Sequence, residues 1–208
     1  MTDTPIQPSP SDSSESSTAL ARNAVGFIRL QTRLQLTIGH TFAWLSLTLV
    51  LLTAFVVFDR YGLDSGSIAL QETLVYNHAI LFMMGMAYTL QQGGHVRVDV
   101  FYSRMSPNRQ AWVDLLGNLF LALPTLLFVL WVSWDYVAAS WEILEGSAEA
   151  GGLPFLYLLK SVIPVMGVLM TLQILSDATE AALKLFQSEQ PVVQDWLAQR
   201  TPPHEEMV

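Results

Sequence analysis

The chain has no cysteine. That excludes disulfide frameworks, thiolate metal sites, thiol redox chemistry and covalent c-type haem attachment. Charge is also scarce. Only 13% of the 208 residues are Asp, Glu, Lys or Arg, about half the roughly 25% usual in soluble domains. Basic residues are the scarcer sign, 10 against 18 acidic, for a net charge of −8. A nucleic-acid binder would show the opposite balance, with a basic stripe. The charges that are present cluster between long neutral stretches, so the deficit marks surface built to avoid water.

Four stretches carry that surface. Leu34 to Phe58 holds 25 residues without a charge, Thr73 to Val96 holds 24, and Leu115 to Trp134 holds 20. Ala150 to Ser176 holds 27 with Lys160 as its one charge. About 20 apolar residues are needed for a helix to cross the hydrocarbon core. The pattern predicts an all-α integral membrane protein with four transmembrane helices, at about 37–58, 70–92, 112–135 and 155–177 of a domain spanning 36–186. A β-barrel would alternate polar and apolar residues over about 10 positions. Helices of a soluble bundle would show a polar face on every turn. The run from Trp44 to Phe58 has no charged face.

Lysine and arginine set the orientation. Arg22, Arg29 and Arg33 precede the first span, Arg97, Arg104 and Arg109 lie between the second and third, and Lys184 and Arg200 follow the fourth. The other side has Arg60 and Lys160, among Asp59, Asp64, Glu72, Asp135, Glu142, Glu145 and Glu149. Both termini are therefore expected in the cytoplasm of a bacterium, with the chain in the inner membrane. Trp44 and Trp112 fall near the inner face and Trp131, Trp134 and Trp141 near the outer, as interfacial belts require.

The flanks read differently. Residues 1–18 are rich in Ser, Pro, Thr and acid and are expected to be disordered. Residues 19–35 place Arg22, Arg29 and Arg33 in one sector opposite Leu20, Phe27 and Leu34, with Val25 breaking the pattern. That predicts an amphipathic helix lying in the headgroup plane. Val98, Phe101, Tyr102 and Met105 predict a short surface helix between spans two and three, and Ser106-Pro107 a helix start after it. Gly151-Gly152-Leu153-Pro154 marks the entry to span four, and Pro164 a bend within it. Residues 187–208 read as a polar C-terminal tail.

Two longer motifs carry a resemblance. Gly94 to Tyr102 (GHVRVDVFY) followed by Ser106-Pro107, and Ser140 to Pro154 (SWEILEGSAEAGGLP), resemble the small membrane subunit (DctQ type) of TRAP transporters. The variant is similar to the branch for mannitol or chloroaromatic compounds and α-keto acids. The resemblance covers about residues 30–185. It implies a tripartite uptake system and no enzymatic activity. A periplasmic solute-binding protein would deliver an organic acid. A large membrane subunit (DctM type) would carry the solute and sodium sites. The small subunit would scaffold the large one, help dock the binding protein and need no cofactor of its own. Nucleic acid has no place among these partners; the lipid bilayer does.

The candidate residues follow from depth and charge. Asn77 and His78 lie well inside span two, where polar groups must find partners, either within the subunit or on the large one. Arg97 and Asp99 flank the inner end of that span. Separated by two residues, they do not meet on a helix, so they read as contacts to different partners or as boundary charges. Lys160 lies about 9 Å into span four, able to snorkel outward or to pair with Glu142 or Glu145. Glu142, Glu145 and Glu149 read as a solvated acidic loop or as a steering surface for a basic partner. A second function class is a four-helix b-type cytochrome subunit, with His40 and His95 as the only inner-side ligand pair. A third is a scaffold for another membrane complex.

Overall fold

The structure is a computed structural model that describes residues 10–95 and 99–200. Seven α-helices form, with no strand among the described residues: α1 (Pro10–Gly62), α2 (Ile68–Gln91), α3 (Asp99–Tyr102), α4 (Pro107–Leu116), α5 (Leu123–Glu142), α6 (Leu156–Phe186) and α7 (Pro191–Arg200). A π-helical turn over Gly117–Ala122 joins α4 to α5 without a break. Helix α6 is the hub, packing against α1, α2, α4 and α5, and α2 lies between α1 and α6. Three helical segments are long and apolar enough to cross a membrane: Glu15–Gly62, Pro107–Glu142 and Leu156–Phe186. With 24 residues, α2 is about 36 Å long, but Glu72, Asn77 and His78 dilute its apolar run.

The flanks differ from the sequence expectation. Helix α1 runs unbroken for 53 residues, so residues 10–18 are helical rather than part of a disordered tail; residues 1–9 lie outside the described residues. Residues 19–35 are the same rod, not a separate helix. Their apolar side is covered by protein: Ala21, Val25 and Ile28 pack with Leu183 of α6 and with Val193 and Trp196 of α7. Val25 breaks the amphipathic pattern because the buried arc, centred near Ile28, reaches round to it. No proline interrupts the sequence after Pro10 up to Gly62, so nothing ends the helix. The polar C-terminal tail also folds in part, as α7, whose buried Trp196 closes this cluster.

Close approach and a few polar contacts hold the apolar helices together. The face of Gly39 on α1 is filled by the Tyr88 ring of α2, and a Cβ at Gly167 on α6 would lie 2.6 Å from Leu130 Cδ2 of α5. Gln35, fully buried, donates through Nε2 to the Leu169 carbonyl at 3.2 Å and so ties α1 to α6. Small residues and interhelical hydrogen bonds are the means of association where hydrophobicity offers no gradient.

Proline shapes the third rod. Pro124 has no N–H and its ring crowds the carbonyl of Phe120. The helix widens beside it, and the Leu123 N–H reaches the carbonyl of Asn118, five residues back. Such π-turns are a recognised cause of helix bending. The sequence reading marked Pro164 alone; Pro164 sits inside α6 without ending it. The surface helix α3 is only four residues long. Tyr102 at its end donates to Asp114 Oδ2 of α4 at 2.6 Å, and Gln110 Nε2 donates to the Tyr102 carbonyl at 3.0 Å.

Gly167→Leu should overpack the α5–α6 contact and cost about 1–3 kcal/mol. The midpoint of thermal unfolding in detergent should fall for this variant and stay in place for Gly117→Leu, where an added Cβ meets nothing within 4 Å.

Candidate functional site

The loop from 143 to 155 joins α5 to α6 on the side where α1 meets α2. Helix α5 ends with Leu144 in the left-handed region, at φ +47°, a conformation a leucine rarely adopts. The Leu144 N–H bonds the Trp141 carbonyl at 3.2 Å and the Glu145 N–H bonds the Ser140 carbonyl at 3.0 Å, capping the helix. The chain then closes on itself: Ser147 N–H donates to the Leu153 carbonyl at 2.8 Å, and Gly152 N–H to the Glu149 carbonyl at 3.0 Å. Gly151, at φ +83°, is a turn position that glycine fills at no steric cost.

Two carboxylates clasp this loop to the helices. Glu72, in the second turn of α2, accepts the Leu153 N–H at 2.6 Å and the Ser147 hydroxyl. A Cβ at Gly152 would come within 2.8 Å of Glu72 Oε1, so glycine is what lets the loop seat on the carboxylate. Glu145 accepts the Ser140 hydroxyl at 2.6 Å and pairs with Lys160 of α6. The Lys160 ammonium also lies 4.1 Å from the centroid of the Tyr136 ring, within cation–π range. Trp141 donates from its indole to Ser161 Oγ at 2.7 Å and meets Tyr157 edge-on at 4.8 Å. The loop is thereby fixed to α2, α5 and α6 at once. The hydrogen bond from Lys160, then that from Ser140, hold the Glu145 carboxyl below the ordinary carboxylate range against the opposing effect of burial.

The residues singled out from sequence separate into distinct environments. Lys160 has a side chain only 12% exposed and takes Glu145 as partner, not Glu142. Glu142 and Glu149 project into the open, so the three acids of the loop are not equivalent. Asn77 turns inward: its Nδ2 donates to the Leu45 carbonyl at 3.1 Å, and Thr48 Oγ1 donates to its Oδ1 at 3.2 Å, bonding α2 to α1. His78 turns outward, exposed, with its ring 6.3 Å from that of Phe82. His95 is exposed beyond the end of α2, and His40 lies beside Tyr88 at 5.9 Å. Arg97 lies outside the described residues; Asp99 begins α3, and its side chain is outside them as well. Among the described residues no group of three His, Asp or Glu side chains fits a metal ion. Glu72 was read from sequence only as a loop charge. Its position in the second turn of a largely apolar helix, the one carboxylate there, is the signal that could have marked it.

A family model described as "Tripartite ATP-independent periplasmic transporters, DctQ component" matches residues 49–184, about two thirds of the chain. The chain belongs to the DctQ family. The match begins within α1 and ends within α6, taking in α2, the clasped loop and α5. No curated protein and no solved structure matches the chain. DctQ proteins are components of a transporter and not enzymes. They are membrane proteins that work with a large DctM subunit and a solute-binding protein. In this DctQ protein the resemblance carried by GHVRVDVFY holds at the level of the family.

The Glu145 clasp carries a pH signature. A carboxyl held below its unfolded pKa adds stability that is full above that pKa and is lost progressively as pH falls from it to the lowered folded value. Hydrogen-exchange protection factors of the Ser147 and Tyr157 amides should stay flat from neutrality down to the ordinary carboxylate range, then fall through it and level off below the lowered folded value. Glu145→Gln should lower that protection already at neutral pH and remove the dependence at Tyr157, while Ser147 keeps the part that Glu72 sets. Equal protection in both proteins would show that the pair contributes nothing to the loop.

Proposed function

We propose that this DctQ protein is a four-span membrane scaffold. It holds the large subunit in place and presents its clasped loop to a periplasmic solute-binding protein, for sodium-driven uptake of an organic acid. The observation that carries the reading is the clasp itself, in a chain of this family. Two carboxylates on α2 and in the loop fix a rigid surface, while Glu142 and Glu149 stay exposed on it. A fixed, acidic surface is what a basic, soluble partner needs for steered encounter.

Helix α2 serves as the fourth span. Its length of about 36 Å exceeds the hydrocarbon core, and its inward polar groups are bonded to α1 and to the loop. With four spans, the excess of Lys and Arg places both termini in the cytoplasm and the clasp in the periplasm. Lys160 and Glu145 neutralise each other at the outer end, and Glu72 is spent on the loop, so the sodium and solute sites belong to the large subunit. The helices are continuous apart from the π-turn beside Pro124, unlike the broken helices that carry solute in secondary transporters.

Reporter fusions after Ser65 and Ser147 should signal periplasm, and one after Arg104 cytoplasm; a periplasmic signal at Arg104 would sink the four-span topology. Reconstituted alone, the protein should move no organic acid down a sodium gradient. In the complete transporter, replacing Glu142 and Glu149 together by Gln should slow uptake about two- to tenfold at low solute-binding-protein concentration, with full recovery at saturation and a weaker effect in added salt. Glu145 is left intact in that variant because neutralising it opens the clasp. An unchanged rate across the titration would remove the acids from docking.

A further inference from the structure

We infer that the outward strip of α2, from Val75 through His78 and Phe82 to Thr89, is the seat of one transmembrane helix of the large subunit. The inference rests on the scaffold reading above and adds to it a place and a chemistry.

Helix α2 is wedged between α1 and α6 and shows one narrow side to the outside. Gln71, Val75, His78, Phe82 and Thr89 are exposed. With Gly85 they fall within about 80° of the helix circumference at 3.6 residues per turn. His78 is the eleventh of the 24 residues, about 15 Å from one end and 20 Å from the other, and so at mid-membrane. Among the described residues its imidazole makes no hydrogen bond; its contact is the Phe82 ring.

Apart from the Tyr76 hydroxyl, which also lacks a partner but is buried inside the bundle, the other polar groups near this depth are bonded. Ser46, Thr48, Thr53, Thr89 and Thr125 each return a hydroxyl to a carbonyl of their own helix, and Asn77 is bonded to α1. An imidazole carries one N–H donor and one acceptor nitrogen, and acyl chains satisfy neither. A helix of another protein satisfies both needs of the strip if it sets a hydrogen-bonding side chain opposite His78.

The strip also has room for such a helix. A cavity of about 380 Å³ lies between α1 and α2, walled by Phe42, Ala43, Phe82 and Tyr88, with Gly85 on its floor and His95 at its mouth. A Cβ added at Gly85 would meet nothing within 4 Å. Gly85 lies two turns from His78, about 10 Å along the axis. The occupant is therefore a helix with a polar side chain and, about 10 Å further towards the cytoplasm, a bulky apolar one. The face of α5 makes the contrast. Phe128 and Trp131 are exposed there, as are Phe120 and Leu121 of the π-turn before it, and the hydroxyl of Thr125 is already bonded. That face suits lipid.

The test uses the complete transporter in native membranes, with a photo-crosslinking benzoylphenylalanine at Phe82 or, as the control, at Phe128. We expect a product with the large subunit from position 82 and none from position 128. His78→Leu and Gly85→Leu should each reduce the large subunit retained on purification in detergent by about three- to tenfold, without lowering the thermal midpoint of the isolated protein. Crosslinking to the large subunit from position 128 alone, to a second copy of this chain from 82, or from neither position while the large subunit still copurifies would overturn the inference and leave the scaffold reading standing. Failure of the large subunit to copurify with the wild type would overturn the scaffold reading itself.

Discussion

Inside a bilayer a polar group has no water to turn to, and each one must be bonded to protein or displaced to an end of its span. This requirement orders the whole chain. Threonine and serine hydroxyls fold back onto their own helices. Asn77 spends both ends of its amide on α1, and Gln35 reaches a carbonyl of α6. Those two amides fix how α1 lies against its neighbours, in a setting where apolar contact alone would let helices slide. The same requirement explains the π-turn beside Pro124, where the backbone widens to find the Leu123 N–H a carbonyl five residues back rather than leave it without one.

At the end of the bundle that carries the 143–155 loop the requirement takes a charged form. Lys160 is mostly buried and would be costly without a counter-ion, so Glu145 and the face of Tyr136 surround it. Glu72 does the same service for the loop's backbone. The loop is thus rigid because the helices beneath it needed partners for their charges, and its stiffness is tied to the stability of the span ends. A surface of this kind loses little conformational freedom when another protein lands on it.

The membrane class was legible because hydrocarbon thickness sets a length that four stretches of this sequence meet, and the family was legible in GHVRVDVFY. The limits of the elements were less so. Amphipathicity at 19–35 is real, but a pattern shows which side is apolar and not what covers it. Val25 looked like an exception only because the phase was taken from the arginines, and the cover was α7, a segment whose composition is polar. Glu145 and Glu142 are alike in sequence; the left-handed turn at Leu144 decides which one meets Lys160. Asn77 and His78 are adjacent and equally deep, yet 100° of helix sends one inward and the other out. Glu72 and Pro124 matter through contacts formed on folding, which no local pattern announces.

The unbroken course of α1 makes it a lever. Between Gly62, near the clasp, and Trp44 it spans about 28 Å; from there to Pro10 it continues for about 51 Å. A rod of these proportions moves its free arm nearly twice as far as its membrane arm. A tilt of 5°, within what a change in bilayer thickness can impose, carries the far end through roughly 4 Å. The cluster of α7 against Ala21, Val25 and Ile28 braces that arm to the end of α6, so the two helices swing as one body. By geometry alone, any change of tilt in the apolar arm is amplified at the Pro10 end of the rod.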